Sequence, residues 1–586
     1  MTNVKEVWTY RAPTDALVQN SIKEILLSDP SLGEVLPVIK NICERRANVS
    51  ILNNIGYVGI ASSHNREHYL PAAEQIIKAI NQKEEILVYG DFDVDGMTAT
   101  ACLYKVLKAC GANVSYYIPS RLTGHGLHAD EIKNSTCKLI ITVDTGITAI
   151  DEVAAIKAQG KEVIITDHHL PDMLGVPETT IINPKVYTGE DDPEFMAPGV
   201  YVASKLALLV ARYFIKDGAK WIEQHKYCAQ LTTLGIVSDV IPLNQLMRQQ
   251  TAYGIICLCE STHDGLNALL TLCGHKDFQS ITIRFLSYVC IPKMNAAGRL
   301  GRCEECLKVL LLDKDESLHK SDSLLAANRL KSLNEERKLI EHAVFDQALE
   351  QIEATHALES NPHSIIVYQN GWHKGVVGIV ASKLTELYRV PTLVLTSDRP
   401  DGDITGSGRT VDGVDLYKSL EYCFEKGSIK QFGGHTRAAG LVTDMHHLTE
   451  LRQQFEFFAG TQLKEIQHQV IIDSDVTFQE LYDVRLTMFL ESMEPTGSGN
   501  PSVILKLPPT IVYSVRKRGE VTSLVLIDEK GHTLMVSKYQ APESWDELLD
   551  RNVEVLVTPV FSAFSVSTTI DWDVVSLRET DASTEA

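Results

Sequence analysis

The segment EILVYGDFDVDGMTATACLYKVLKAC, residues 85–110, decides the fold of the chain. Its first five residues are rich in aliphatic and aromatic side chains, which predicts a buried strand, and the spacing of apolar residues from Met97 to Cys110 predicts a helix. Further short runs predict strands at 114–118, 139–143 and 162–166. Strands that alternate with helices indicate a parallel α/β sheet, and ligands of such sheets gather beyond the carboxyl ends of the strands.

Acidic residues directly follow the first predicted strand. The stretch GDFDVDG, residues 90–96, puts Asp91, Asp93 and Asp95 on the same side of an extended chain. Three neighbouring carboxylates repel one another unless cations hold them. A calcium loop or a helix-capping cluster is the alternative, although no Glu closes a twelve-residue calcium loop here. The stretch therefore favours a metal site.

The later segments supply more candidate ligands. Asp144 follows a strand in the stretch TVDTG, and Asp167, His168 and His169 follow the next one in ITDHH. A further apolar segment, LTTLGIVSDV, ends with Asp239. A single Asp or His after a strand is usually a cap or turn residue. Because several of these residues each follow an apolar segment, we expect their side chains to meet in one crevice. Carboxylates with imidazoles suit Mn²⁺ or Mg²⁺, and two such ions ~3.5–4 Å apart can polarise a phosphoryl group. We therefore expect phosphoester hydrolysis.

Composition limits the class of protein. The 586 residues are 44% hydrophobic and 22% charged, which is typical of a multidomain globular protein. We expect a cytoplasmic protein, because no apolar run is long enough for a membrane span and no secretory signal is visible at the N-terminus. The 12 cysteines are scattered, and most are expected to be buried reduced thiols. The net charge of −21 opposes nucleic acid binding unless a local basic groove or bound cations reverse it.

The triad Asp167-His168-His169 and the acidic motif before it resemble the DHH phosphoesterase superfamily. The resemblance implies that His169 contacts the scissile phosphate and that Asp144, His168 and His169 are catalytic. The metal candidates are Asp91, which lines the site, and the ligands implied by the resemblance, Asp93, Asp95, Asp144, His168 and Asp239. One departure is Tyr89, because small-substrate members often carry a His at that position.

A second α/β unit is predicted from about 364 to 460. It contains WHKGVVGIVASKL (372–384), GSGRT (406–410) and FGGHTRAAG (432–440), which together resemble the DHH-associated substrate-binding domain. Gly-rich turns expose backbone N–H groups that can bind phosphate. The linker stretch PKMNAAGRLG (292–301) resembles a segment along the DNA path of RecJ proteins. The candidate substrate-binding residues are Arg121, His125, Asn295, Arg299, Ser407, Arg409, Gly433, Gly434 and His435.

The order of these elements resembles that of the RecJ exonucleases. We expect two α/β lobes joined by a long helix within 318–358, followed by a C-terminal β-barrel of OB type that carries the basic run Arg516-Lys517-Arg518. EPTGSGNP (494–501) extends the resemblance. The expected units are an N-terminal segment packed on the catalytic lobe (1–80), the DHH catalytic domain (81–270), a helical linker (271–358), the DHH-associated domain (359–465) and the OB-like domain with a tail (466–586).

The resemblance implies a function in DNA repair and recombination. The implied activity is 5′ to 3′ hydrolysis of single-stranded DNA to mononucleotides, with two Mn²⁺ or Mg²⁺ ions as cofactors. Single-stranded DNA with a 5′ end is the implied partner, with a single-strand-binding protein and a helicase as further partners and no membrane. Two alternatives stay open at this point. One is a phosphoesterase of the same superfamily acting on oligoribonucleotides or cyclic dinucleotides, and the other is a non-catalytic scaffold associated with a helicase.

Overall fold

The structure is a computed structural model that describes most of the chain. The described residues are 6–11, 37–46, 64–121, 124, 126–171, 175–275, 281–312, 320–399, 402–463, 468–561 and 570–580. Within these ranges no helix combines the length and the apolar character needed to cross a membrane. The expectation for the cysteines is confirmed for the described thiols, which are all free and, apart from Cys259, buried.

The N-terminal elements divide between two parts of the molecule. They are β1 (Glu6–Tyr10), α1 (Pro37–Arg45) and α2 (Arg66–Asn81). The helix α2 packs on the catalytic lobe, as expected for residues 1–80. The other two elements differ from that expectation, because β1 pairs with a strand at 468–472 and Val38 and Ile42 of α1 join the C-terminal core. The buried Arg46 guanidinium also binds both carboxylate oxygens of Asp473, at 2.9 and 2.7 Å.

The catalytic lobe is built on a five-stranded sheet whose strands are all parallel. The strands are β2 (Glu85–Tyr89), β3 (Asn113–Tyr117), β4 (Leu139–Val143), β5 (Glu162–Thr166) and β6 (Thr180–Ile182), in the spatial order β3-β2-β4-β5-β6. The helix α3 (Val94–Ala109) connects β2 to β3, and α4 (Ile150–Ala158) connects β4 to β5. A short helix, α5 (Pro184–Tyr187), follows β6. The register aligns Tyr89 with Thr142, Val143 with Thr166 and Thr166 with Ile182. The polar residues that follow these strands therefore share one edge.

Helices complete this lobe. They are α6 (Gly199–Phe214), α7 (Gly218–Ser238), α8 (Gln245–Cys259), α9 (Asp264–Leu272), α10 (Ile283–Phe285), a π-helical turn (Leu286–Cys290), α11 (Ile291–Arg299) and α12 (Cys303–Leu311). The apolar segment before Asp239 is thus the end of α7 and not a strand. Residues 227–237 of this helix are all buried, so the segment has no solvent-facing polar side and its sequence shows no helical periodicity.

A 35-residue helix, α13 (Lys320–Ala354), leads to the second lobe. It confirms the long connecting helix and spans about 52 Å at the usual rise. Its buried Glu341 accepts hydrogen bonds from Arg337 on the same helix and, at 2.6 Å, from Lys383 of the second lobe. These contacts fix the second lobe against the helix.

The second lobe contains a mixed sheet rather than a purely parallel one. Its elements are α14 (Ala357–Ser360), β7 (Ile365–Tyr368), α15 (Val377–Tyr388), β8 (Thr392–Thr396), β9 (Ile404–Arg409), α16 (Leu416–Glu425), β10 (Gln431–Gly434), β11 (Ala438–Thr443) and α17 (Leu448–Gln462). The strand order is β10-β11-β9-β8-β7, with only β7 and β8 parallel. The Gly-rich motifs therefore form strands as well as turns.

The C-terminal module is predominantly β. Its elements are β12 (His468–Ile472), β13 (Ser474–Asp475), α18 (Phe478–Leu481), α19 (Val484–Ser492), β14 (Leu505–Lys506), β15 (Thr510–Arg518), β16 (Val521–Ile527), β17 (Thr533–Tyr539), a 3₁₀ turn (Glu543–Glu547), β18 (Asn552–Phe561) and β19 (Ile570–Glu579). Five strands pair in a closed circuit, β18-β15-β16-β17-β19 and back to β18. This part of the chain is therefore a β-rich unit.

Candidate active site

The loop after β2 is compact because glycines let it turn closely. A Cβ on Gly90 would lie 1.9 Å from Thr100 Oγ1, and one on Gly96 would lie 2.6 Å from the Asp91 carbonyl oxygen. Asp93 caps α3 by accepting a hydrogen bond from Gly96 N at 3.0 Å. The loop thus brings Asp91 and Asp93 to the sheet edge, where one oxygen of each lies within 4.8 Å of Asp144.

Asp95 is buried and is bound by the N-terminus of α6. Its Oδ2 accepts a hydrogen bond from Gly199 N at 2.7 Å, and its Oδ1 accepts one from Val200 N at 3.0 Å. The positive end of a helix dipole favours this carboxylate. Two glycines make the packing possible, since a Cβ on Gly199 would lie 2.5 Å from Asp144 Oδ1 and one on Gly235 would lie 2.5 Å from Asp95 Oδ1. Sequence reasoning missed both glycines.

His168 lies at the centre of the acidic side chains. Its Nε2 is 3.1 Å from Asp144 Oδ1, 3.8 Å from Asp95 Oδ2 and 3.9 Å from Asp239 Oδ2. Asp144 adopts the left-handed backbone region with φ of 61°, which is uncommon outside glycine and typical of functional sites. Asp239 caps the C-terminus of α7, so a helix rather than a strand delivers it.

His169 is oriented by Asp167. One carboxylate oxygen of Asp167 accepts hydrogen bonds from His168 N at 2.7 Å and His169 N at 3.1 Å, and it lies 2.8 Å from His169 Nδ1. The other oxygen accepts one from Ile147 N at 2.9 Å. Burial alone would lower the pKa of His169, but the hydrogen bond to Asp167 and its charge raise it to about 9. Burial alone would raise the pKa of Asp167. The hydrogen bond to His169 and the charges of His169 and His168 instead lower it to about 2.

The remaining carboxylates destabilise one another. Burial and then neighbouring carboxylates raise the pKa of Asp95 and of Asp144, and the same causes raise that of Asp239 to about 7. Burial lowers the pKa of His168, which favours a neutral imidazole. Asp144 Oδ1 and His168 Nδ1 are buried and make no hydrogen bond within the described structure. Crowded carboxylates beside a neutral imidazole fit divalent cations, which would remove the repulsion.

Two further residues stand at this edge and escaped sequence reasoning. Asn183, the first residue after β6, donates a hydrogen bond from Nδ2 to the His169 carbonyl at 2.8 Å. Burial lowers the pKa of Lys185, while the charges of Asp239, Asp167 and Asp144 oppose that shift. The strand order would have identified both, because β6 adjoins β5.

Tyr89, the departure from the family pattern, is buried, and its hydroxyl bonds to the backbone of residues 126 and 128. Its buried hydroxyl accepts a hydrogen bond from His128 N at 3.1 Å and donates one to the Gly126 carbonyl at 3.3 Å. It therefore supports the loop that follows Arg121. The predicted substrate-binding residue His125 lies outside the described residues.

Three arginines from distant parts of the chain meet beside the acidic edge. Arg121, Arg299 and Arg409, here called the arginine cluster, lie close enough for their charges to interact. Burial and then repulsion by neighbouring arginines lower the pKa of Arg299 to about 9. Arg121 stacks 4.8 Å above the Phe92 ring and is attracted by Asp93 and Asp91. The cluster therefore adjoins the metal candidates.

The second lobe supplies polar groups around the arginine cluster. Arg409 donates a hydrogen bond to Ser407 Oγ at 3.0 Å, and Arg299 donates one to the Gly375 carbonyl at 3.1 Å. A Cβ on Gly378, in the first turn of α15, would lie 3.0 Å from Ser407 Oγ and 3.3 Å from Arg409 Nη2. The N-terminus of α15 is thus close to Ser407 and Arg409.

The other predicted substrate residues lie on β10, directly after it, and on α11. His435 is largely exposed to solvent. Its partial burial, and to a lesser extent the nearby charges of His169 and Lys185, lower its pKa, so His435 lies near the acidic edge. The preceding Gly433 and Gly434 are exposed on β10. Asn295 is half-buried on α11, the helix that also carries Arg299.

Comparison with known proteins identifies the domains. The chain matches the model of the DHH family N-terminal domain over residues 85–236 and that of the DHHA1 domain over residues 361–461. It is 33% identical over 451 residues to the single-stranded-DNA-specific exonuclease RecJ of Salmonella typhimurium, covering 73% of this chain and 76% of that protein. The chain belongs to the RecJ family.

Other members of the RecJ family show the same relation. The RecJ of Bacillus subtilis is 32% identical over 453 residues, which cover 76% of this chain. The match spans 55% of that longer relative. The crystal structure of RecJ in complex with Mn²⁺ from Thermus thermophilus has a TM-score of 0.78 and 24% identity, covering 99% of this chain and 81% of the other. That likeness shows the RecJ-like α/β fold.

Proposed function

We propose that this RecJ-family chain is a 5′ to 3′ exonuclease that degrades single-stranded DNA to 5′-mononucleotides with two divalent cations. The observation that carries the proposal is the adjacency of the acidic edge and the arginine cluster. Arg121 stacks on the ring of Phe92, the neighbour of Asp93, and a Cβ on Gly298, next to Arg299, would lie 1.9 Å from the Phe92 carbonyl oxygen. A strand phosphate held by the arginines would bring the next phosphodiester to the acidic edge. The curated relatives are named single-stranded-DNA-specific exonucleases, which supports the choice of substrate.

The acidic edge would hold the cations. The proposed ligands are Asp91, Asp93, Asp95, Asp144, His168 and Asp239. Together with His169 they form three overlapping groups of three residues, and the ligand atoms within each group lie within 4.8 Å of one another. Asp144 and His168 each occur in two of these groups, so both are suited to sites that adjoin one another. Bound Mn²⁺ or Mg²⁺ would supply a hydroxide nucleophile and polarise the phosphoryl group. Related RecJ crystal structures were obtained with each of these metals.

His169 would stabilise the charge that develops on the phosphate. Its Nδ1 is held by Asp167, so Nε2 is free to turn toward the cleft. A raised pKa keeps the imidazole protonated at neutral pH and makes it a hydrogen-bond donor to a phosphate oxygen. Lys185 at the same edge would add a second positive charge. The transition state gains more from these charges than the ground state does.

The arginine cluster would set the polarity of degradation. Arg121 and Arg409 can bind a terminal 5′-phosphate in a fork, with Ser407 and the N-terminus of α15 as further donors. Gly433, Gly434 and His435 of the second lobe would contact the strand from the opposite wall. Asn295 and Arg299 would contact it from α11. A strand without a free 5′ end would not reach this pocket.

The C-terminal strand circuit would act as an OB-type module that holds the rest of the strand. Its exposed Arg516-Lys517-Arg518 offers charge, and such binding tolerates any sequence. Of the expected domain limits we retain 359–465 and 466–586, whereas the helices of residues 283–311 pack in the core of the catalytic lobe and extend that lobe beyond residue 270. The enzyme would act in the cytoplasm in DNA repair and recombination, with a helicase to open duplexes and a single-strand-binding protein on the product.

The test of this function uses end-labelled oligonucleotides. Single-stranded, blunt duplex and dinucleotide substrates are incubated with the full chain in Mn²⁺, in Mg²⁺ or in excess chelator. We expect mononucleotides released from the 5′ end of the single strand, little cleavage of the duplex, and no activity with chelator. Cleavage confined to the dinucleotide would instead indicate a small-substrate phosphoesterase.

A further inference from the structure

The C-terminal module touches the segment that leads away from Asp239. Leu243 N donates a hydrogen bond to the Ser498 carbonyl at 2.7 Å, although the two residues lie 255 positions apart in the sequence. Gly497 and Gly499 lie against the same segment, where a Cβ on Gly497 would be 3.2 Å from Leu243 Cδ1. The loop of residues 494–500, here called the latch, is part of the motif EPTGSGNP, for which the proposed activity has no use.

The segment held by the latch is strained beside the metal candidates. Val240 directly follows Asp239 and adopts the left-handed region with φ of 53°. That conformation is unfavourable for a β-branched residue. The Val240 side chain is 68% exposed, so its own packing does not hold the backbone in place. The Ile241 N–H bond to the Ile236 carbonyl, at 3.0 Å, ends α7, and the latch contact at Leu243 restrains the next turn.

The latch is itself rigid. Asn500 is 7% exposed, and its side-chain amide donates hydrogen bonds to the carbonyls of Pro495 at 2.9 Å and Met493 at 3.3 Å. Backbone hydrogen bonds also join Gly497 and Asn500 in both directions, at 2.8 and 3.1 Å. Glu494 accepts hydrogen bonds from the backbone and the hydroxyl of Thr496, at 2.9 and 3.0 Å. These internal hydrogen bonds hold the latch in one conformation, so its contacts can fix the position of the backbone at Pro242 and Leu243.

A second contact fixes the latch to the catalytic lobe. The buried Arg248 on α8 donates a hydrogen bond from Nη2 to the Ser492 carbonyl at 3.0 Å and is attracted by Glu494. The module is therefore attached at two points that follow Asp239 in the chain, at Leu243 and at Arg248. The contact at Gly499 is close, since a Cβ there would lie 3.1 Å from Leu243 N and 3.2 Å from Pro242 Cβ.

We propose that the latch positions Asp239 for cation binding, so that the C-terminal module contributes to the chemistry as well as to strand binding. This inference rests on the proposed function only in taking Asp239 as a ligand. Ser498, Gly499 and Asn500 are positioning residues that act through the backbone of Pro242 and Leu243. The completeness of the metal site then depends on docking of the module.

The test compares two glycines of the module that both adopt the left-handed region. Gly499→Ala places a methyl group against Pro242 and Leu243, whereas Gly531→Ala, at φ of 84°, meets nothing within 4 Å. Binding of Mn²⁺ to the full chain is titrated by electron paramagnetic resonance without nucleic acid. We expect Gly499→Ala to weaken at least one Mn²⁺ site by about tenfold, or about 1.4 kcal/mol, and Gly531→Ala to bind as the wild type does.

Two further measurements separate positioning from general destabilisation. Hydrolysis of a 5′-phosphorylated dinucleotide by Gly499→Ala should recover at high Mn²⁺ with an unchanged KM for the dinucleotide. In an Asp239→Asn background, Gly499→Ala should leave the remaining Mn²⁺ affinity unchanged. The proposal is overturned if Gly499→Ala binds Mn²⁺ as the wild type does. It is also overturned if Gly499→Ala weakens Mn²⁺ binding as much in the Asp239→Asn background as in the wild type.

A second variant, Asn500→Asp, is used if Gly499→Ala does not fold. It removes the two hydrogen bonds of the Asn500 amide without adding volume. The same weakening of Mn²⁺ binding is expected, and wild-type affinity overturns the latch. Wild-type protein that binds Mn²⁺ but leaves single strands intact overturns the proposed function alone, because the Mn²⁺ comparison needs no substrate.

Discussion

The acidic edge and the arginine cluster carry opposite charge. At the sheet edge, burial and mutual repulsion raise the pKa values of Asp95, Asp144 and Asp239. In the arginine cluster, burial and mutual repulsion lower the pKa values of Arg299 and Arg409. Each side is unfavourable by itself, so the first needs cations and the second needs anions. A metal-bound strand phosphate supplies both.

This difference explains how a chain with a net charge of −21 can act on DNA. The acidic edge carries negative charge that bound cations would reverse locally, and the arginine cluster carries positive charge where we propose that the terminal phosphate binds. Global charge therefore says little about this substrate. The two sides should respond differently to mutation, because we propose that one performs the chemistry and that the other selects the strand end.

Asp144→Ala should have the largest effect, because Asp144 belongs to two of the three groups that could hold cations. Loss of several kcal/mol of transition-state stabilisation corresponds to roughly 10³-fold in rate. The initial rate on a labelled single strand checks this, with circular dichroism to verify the fold. Asp151→Ala, an exposed carboxylate on α4, is the control. Wild-type activity of Asp144→Ala would show that the acidic edge is not the metal site.

Asp167→Asn tests the electrostatic support of His169 at the acidic edge. The substitution removes the charge that keeps the imidazole protonated and oriented, so we expect a loss of about 10²-fold in kcat. A double-mutant cycle with His169→Ala measures the coupling. If Asp167 acts through His169, the second substitution adds little to the first. Fully additive losses would contradict that pathway.

Arg409→Ala should change substrate choice more than chemistry. A charge-assisted hydrogen bond contributes about 1.5–3 kcal/mol, so degradation of 5′-phosphorylated strands should slow by roughly 10- to 100-fold. Strands with a 5′-hydroxyl should be affected much less. Arg452→Ala, on the exposed face of α17 in the same lobe, is the matched control. An equal loss on both substrates would assign Arg409 to general strand binding.

The smallest effect is expected from the β15–β16 hairpin. Replacing Arg516, Lys517 and Arg518 with Ser should weaken binding of a long strand several-fold and reduce the salt dependence of binding by about 0.7 per lost phosphate contact. Hydrolysis of a dinucleotide should stay the same, because that substrate is too short to reach the hairpin. Lys530→Ser, in the turn between β16 and β17, is the control. An unchanged salt slope would remove the hairpin from the strand path.

Local sequence was sufficient where neighbouring residues build a feature together. The strand and helix of residues 85–110, the clustering of Asp91 and Asp93, and the pairing of Asp167 with His169 all depend on short-range geometry. Parallel pairing then brings Asp144 to the same edge, because polar residues after such strands share one position. The long helix was also predictable, since its apolar residues keep a helical period without Gly or Pro.

Only the tertiary structure could decide the rest, because it depends on contacts between distant segments. The apolar segment before Asp239 looks like the end of a strand. It is the end of a helix that is buried on all sides, and burial on all sides removes the helical pattern of polar residues from the sequence. No local signal indicates that β1 pairs with β12, that Gly199 and Gly235 make room for carboxylates, or that Lys185 lies beside them. The sequence by itself determined which chemical groups the chain carries and their local geometry. Long-range packing decided which of them meet, as for Arg121 and Arg409 and for Ser498 and Leu243.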